Sequence, residues 1–175
     1  EGDVEKLKAD IRSNIEREVK VRSQGRTKSS VMDALVEAGK FDVPKALVDN
    51  DVQSRIAAAR EELKQRGVPN AESVPIPAEA FSTESERRVR LGLLVSELVK
   101  QAQLQAKPEQ VRARIEEFAE NYEQPAQVVS YYLADRQRRA EIEAIVLEDN
   151  VVAHVLDKAK VTEEKVPFDQ LMGMA

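Results

Sequence analysis

Few residues in this sequence have side chains suited to catalysis. His154 is the only histidine, and there is no cysteine. A metal site or a nucleophile–base pair needs several such groups converging on one point. His154 stands between Ala153 and Val155 in a run with helical apolar spacing, where a structural or surface histidine is expected. The carboxylate pairs Glu61-Glu62, Glu116-Glu117 and Glu163-Glu164 lie among Arg and Lys on polar helix faces. Nothing around them suggests an apolar pocket that would raise one pKa for general-acid work. The sequence holds no GxxxxGK[ST], no GxGxxG and no nucleophile elbow. No catalytic residue, no metal site and no cofactor is expected, and this chain is not read as an enzyme.

The charges point the same way. Net charge is −5, with charged residues at 34% and hydrophobic ones at 42%. Direct nucleic-acid binding needs a clustered cationic surface, which this balance opposes. Arg22, Arg26 and Lys28 stand out as a basic segment. They are read as a solvated stretch or as a contact with an acidic partner. Elsewhere Glu16→Lys20, Glu18→Arg22, Asp51→Arg55, Glu62→Arg66, Glu84→Arg88 and Glu86→Arg90 have the favourable i,i+4 order of exposed helices. No segment has the length and apolarity of a membrane span, and no signal peptide is visible. Together with the lack of cysteine, this suits the cytoplasm. The chain opens abruptly on EGDVEKLK, already helical in pattern, so a piece of a longer protein is expected.

The elements that must position any surface are helices. Aromatics are 4% and there is no Trp, so the core is aliphatic; six Gly and seven Pro are too few for a turn-rich sheet protein. An all-α fold follows. The first helix is expected to start with Asp3 as N-cap and to carry Val4, Leu7, Ile11, Ile15 and Val19 as one narrow stripe. The stripe vanishes around Gly25 and returns at Val31, Met32, Leu35 and Val36. A long helix with a weak waist, ending at Gly39 as a C′ residue, fits best. Pro44 starts the next helix and Gly67 ends it. GVPNAESVPIP is the clearest loop. A long helix follows, then one opened by Lys107-Pro108, then a restart at Gln124-Pro125 running on through QVVSYYLADRQRRAEIEAIVLEDNVVAHVLDKAK. The tail holds an extended piece and one helical turn after Pro167.

The stretch RRVRLGLLVSELVKQ, 87–101, is the anomaly. At 100° per residue, its Leu and Val side chains cover most of the circumference, leaving Arg90 and Glu97 in one polar gap. Two readings are open: a central helix buried between the helices starting at Pro44 and Pro108, or a helix with one side free to bind apolar segments. Gly92 lies inside the apolar arc, where glycine costs about 0.5–1 kcal/mol relative to Ala. Close approach of a neighbouring helix is the expected reason for it.

Four stretches, in this order, carry a resemblance: FDVPKALVDNDV; IPAEAFSTESERRVRLGLLVSELVKQ; ARIEEFAENYEQPAQVVSYYLADR; and VLEDNVVAHVLDKAKVTEEKVPFDQLM. From about residue 3 to the C-terminus, the chain resembles the C-terminal, substrate-binding domain of bacterial trigger factors, which are ribosome-associated chaperones. The resemblance implies a multihelical trigger factor/SurA peptide-binding-domain-like fold, a helical body with two protruding arms. It implies one chaperone domain over 1–175, with a body of 1–42 and 161–175, arm one of 43–103 and arm two of 104–160. The implied activity is ATP-independent binding of exposed hydrophobic segments of nascent or unfolded polypeptides, in protein folding and transport. The family's N-terminal ribosome-docking domain and its FKBP-like prolyl isomerase domain have no counterpart in these residues. Ribosome contact is therefore expected only through that missing domain, and isomerase activity is not assigned to this chain. Apolar excess and the arm assignment together nominate Met32, Leu35, Val36, Phe41, Leu47, Val48, Leu94, Leu98, Tyr131 and Tyr132 for client contact. Neither a membrane nor a direct nucleic-acid partner is expected, and self-association into a homodimer stays open. The alternative reading is a helical scaffold module that binds one defined partner.

Overall fold

A computed structural model describes residues 4–120 and 122–173. Among these residues every regular element is helical. They are α1 (Val4–Ala38), α2 (Lys45–Gln65), α3 (Glu79–Ala102), α4 (Pro108–Ala119), α5 (Pro125–Ala134), α6 (Arg136–Lys158) and α7 (Phe168–Met172), with a single 3₁₀ turn at Ala71–Ser73. The all-α expectation holds. The chain divides into two compact units, one of residues 1–33 and 106–175, the other of 34–105.

α1 runs unbroken through the polar waist, as the long-helix reading expected; its proposed cap, Asp3, lies outside the described residues. Nothing approaches the position of a Cβ on Gly25 within 4 Å, so the space at this glycine is open. α1 does end just before Gly39, but for a different reason than a left-handed C′ residue. Among the described residues the left-handed glycines are Gly67 and Gly173. A Cβ on Gly39 would instead lie 2.5–3.0 Å from the Leu94 side chain, so the glycine leaves room for that leucine. Gly67 does close α2 as expected. With φ at 77° it lets Val68 N–H reach back to the Leu63 carbonyl at 3.0 Å, a Schellman-type end.

In the 34–105 unit, α2 and α3 pack on one another, and the 3₁₀ turn packs on α2. Val52, Ile56, Ala71 and Ser85 are its buried side chains. The other unit packs α4, α5 and α6 together around Val111, Ile115, Ile142 and Val146, with Val129, Tyr132 and Leu133 against them. Gln110 and Asn150 exchange side-chain hydrogen bonds of 2.9 and 3.2 Å between α4 and α6. Lys28, on the α1 waist, pairs with Glu148 at 3.5 Å and Asp149 at 2.5 Å on α6.

Two expectations are corrected. The run after Pro125 is two helices, because Asp135 leaves the helical region and caps α6, accepting 2.9 Å hydrogen bonds from the N–H groups of Gln137 and Arg138. Gly92 is not a close-packing residue. Nothing lies within 4 Å of its missing Cβ, and it is exposed.

Candidate functional site

α3 answers the question its sequence poses. Val89, Leu91, Leu93, Leu94, Val95, Leu98 and Val99 are all half-buried, and none is buried. The one fully enclosed side chain of the helix is Ser85. The contact with α2 is built around that serine and a lattice of charges. Arg55 donates to Asp51 at 2.9 Å along α2; Glu84 of α3 pairs with Arg55 at 3.7 Å, and Arg88 of α3 with Asp51 at 3.6 Å. Burial alone would raise the Asp51 pKa. The hydrogen bond from Arg55, the Ser85 hydroxyl and the charges of Arg88 and Arg55 outweigh it and hold the carboxyl below its ordinary value. The expected Glu84→Arg88 pair is thus exchanged for two cross-helix pairs. Glu18–Arg22 at 2.8 Å, Asp51–Arg55, Glu62–Arg66 and Glu86–Arg90 at 2.6 Å form along their helices as the spacing implied.

With charges holding one side of the hairpin, apolar surface is left over. Leu47 is 41% exposed and Phe41 is 38% exposed, with the Arg90 guanidinium 5.9 Å from the Phe41 ring centre. Val48, Leu94 and Leu98 are half-buried, as are Leu35 and Val36 at the end of α1. These seven of the ten nominated residues share the 34–105 unit.

The other three fall in the second unit. Met32 is half-buried, Tyr131 is exposed, and Tyr132 leans on the Val111–Ile115–Ile142–Val146 cluster. The two tyrosines belong to a longer row that the nomination missed. Tyr122 and Phe118 have ring centres 5.4 Å apart, Phe118 and Tyr132 5.6 Å, and Tyr132 and Tyr131 5.8 Å, the last two contacts edge-to-face. Phe118, Tyr122 and Tyr131 are 43%, 49% and 55% exposed. The signal was available: Phe118, near the end of α4, and Tyr122, just beyond it, are four apart in sequence, and the row takes four of the chain's seven aromatics. Arg138 stacks on Tyr131 with its guanidinium carbon 3.6 Å from the ring centre and donates to the Tyr131 carbonyl at 3.3 Å.

A second apolar stripe, Val4, Leu7, Ile11 and Ile15 of α1, is exposed along its length. Among the described residues no three His, Cys, Asp or Glu side chains gather as metal ligands. No described helix is long and apolar enough to cross a membrane. His154 is half-buried on α6.

The family model described as "Bacterial trigger factor protein (TF) C-terminus" matches residues 3–157. Over all 175 residues the chain is 94% identical to a trigger factor of Bordetella petrii and 91% identical to one of Bordetella pertussis, covering 40% of each. It is 54% identical over 173 residues to a trigger factor of Herminiimonas arsenicoxydans, covering 38% of that protein. The chain thus spans about two fifths of the length of these relatives. With a family model over nearly its whole length and relatives this similar, the chain belongs to the bacterial trigger factor C-terminus family.

Proposed function

We propose that this chain is a chaperone domain that holds exposed apolar segments of unfolded and nascent polypeptides, without ATP, and keeps them from aggregating. One observation carries the reading: α3 spreads seven Leu and Val side chains around its axis, and all stay half-buried beside exposed Phe41 and Leu47. Membership of the trigger factor C-terminus family supports it. Covering such surface yields roughly 25 cal/mol per Å² of apolar area. Part of that gain is lost to ordering a flexible client, which leaves modest affinity and fast release. Aliphatic side chains adapt to many sequences, so promiscuity follows.

On this reading residues 1–42 and 161–175 form a body, 43–103 one arm and 104–160 a second. Met32, Leu35, Val36, Phe41, Leu47, Val48, Leu94, Leu98, Tyr131 and Tyr132 are the proposed contacts. Ribosome docking and prolyl isomerisation belong to parts of the relatives that lie outside this chain, and the working compartment is the cytoplasm.

The test is suppression of aggregation of a chemically unfolded model protein by the folded chain without ATP. Suppression at near-stoichiometric ratios, relieved by several unrelated unfolded competitors, is expected. A well-folded sample that fails to suppress, or that yields to one competitor alone, ends the reading. A folded Leu94→Ser, Leu98→Ser variant that keeps full activity would remove those two residues from the contact set.

A further inference from the structure

Beside the polar waist of α1 lies a cavity of about 570 Å³, walled by α1, α4 and α6 within the unit of residues 1–33 and 106–175. Its size falls in the range of small-molecule sites. The waist residues that line it are an unusual choice for the middle of a 35-residue helix. Ser23, Gly25 and Thr27 are all weaker helix formers than alanine. What they share is a short side chain, or none. A Cβ at Gly25 would meet no atom within 4 Å, so packing does not require glycine there. Helix stability does not account for these three residues, whereas room for a ligand does.

The lining combines two kinds of surface. Val21 of α1 and Val152 and Leu156 of α6 are aliphatic. The polar groups are mostly hydrogen-bond donors: the Ser23 and Thr27 hydroxyls, the Gln24 amide and the Arg114 guanidinium. Asp149 is the acid among the lining residues, and Lys28 already holds it at 2.5 Å. Glu148 shares that ammonium at 3.5 Å, and Glu117 takes one N–H of Arg114 at 2.5 Å. A guanidinium has five N–H groups in a planar fork, so Arg114 can serve a second acceptor. We propose that this cavity binds a small aliphatic carboxylate. Its acyl tail lies on Val21, Val152 and Leu156, and its head is taken by the Arg114 guanidinium, with the Ser23 and Thr27 hydroxyls as further donors. The site shares no residue with α3, Phe41 or the aromatic row, and it does not depend on the chaperone reading.

The experiment is an NMR titration of the full chain, labelled at its Val and Leu methyl groups, with octanoate below its micelle concentration. Saturable shifts of the Val21, Val152 and Leu156 methyls are expected. Octanol, which has the tail without the charge, should bind more weakly by about two- to fivefold, the range of a partly exposed charge contact. Acetate, which has the charge without the tail, should leave these methyls unmoved at the same concentrations. Arg114→Gln should erase the difference between octanoate and octanol. Gly25→Ala should weaken octanoate by about two- to tenfold while leaving the free chain at least as stable, a pairing that a merely structural glycine would not produce. The proposal is overturned if these methyls show no saturable shift, if octanol binds as well as octanoate, or if folded Gly25→Ala binds undiminished. Shifts centred on the Leu94 and Leu98 methyls instead would assign the acyl chain to the α3 surface and overturn it as well.

Discussion

Asp51 shows how a polar contact can replace apolar packing. Its carboxyl ties Arg55 on its own helix and Arg88 on the next, with Ser85 enclosed beside it. Asp51→Asn should destabilise the α2–α3 hairpin by about 1 kcal/mol at neutral pH, measured by urea unfolding. The folded-state pKa lies below the unfolded one, so this contribution is complete above the unfolded value and disappears as pH falls through the folded value. The difference between wild type and Asp51→Asn should therefore shrink below about pH 4. An undiminished difference at pH 2.5 would show the network acting through shape rather than charge. Asp135 is lowered for another reason: first the Arg138 backbone N–H, opposed by desolvation, then the Arg138 charge and the Gln137 N–H. Asp135→Ala should reduce the Tm seen by circular dichroism, and Asp135→Asn should retain most of it.

Among the elements, three glycines separate by surroundings that composition hides. Gly25 and Gly92 sit inside helices with open space at the Cβ position. Gly25→Ala and Gly92→Ala should each stabilise the chain by about 0.5–1 kcal/mol. Gly39→Ala should instead destabilise by about 1 kcal/mol, because Leu94 must leave its place. Chemical denaturation of the three variants, side by side, checks the signs. Much of the element order was legible beforehand. Pro108 and Pro125 fix helix starts by their own ring geometry, and Gly67 fixes an end by its φ. Gly92 misled because a glycine in an apolar arc looks the same whether a helix or solvent faces it. The break at Asp135 was hidden because apolar residues continue on both sides of it, and the cap is one side chain turned onto two N–H groups.

For the whole molecule, the candidate surface was only partly legible. Leu47, Phe41 and Tyr131 proved exposed, whereas Tyr132 gives much of its surface to a core cluster that forms only once α4, α5 and α6 meet. The exchange of Glu84 and Arg88 to partners on α2 likewise depends on the register of two helices, which no spacing along one helix reveals. Between α6 and α7 the chain has no regular secondary structure over 159–167, with exposed Lys160 and Lys165. Trypsin should cut there before it cuts within α4–α6, as mass spectrometry of a brief digest would show. First cleavage inside α4 or α6 would contradict the packing described.

The half-buried state of every Leu and Val around α3 has a consequence for timing. A side chain that is already partly covered has only its remaining surface to give, so each contact adds a small increment to the binding free energy. Such increments multiply in the dissociation rate, since every 1.4 kcal/mol is about tenfold. A client that touches many of these side chains lingers, and one that has tucked some of its own apolar residues inside itself departs sooner. On the proposed reading the client's own folding therefore sets the clock for its release, with no nucleotide to signal it.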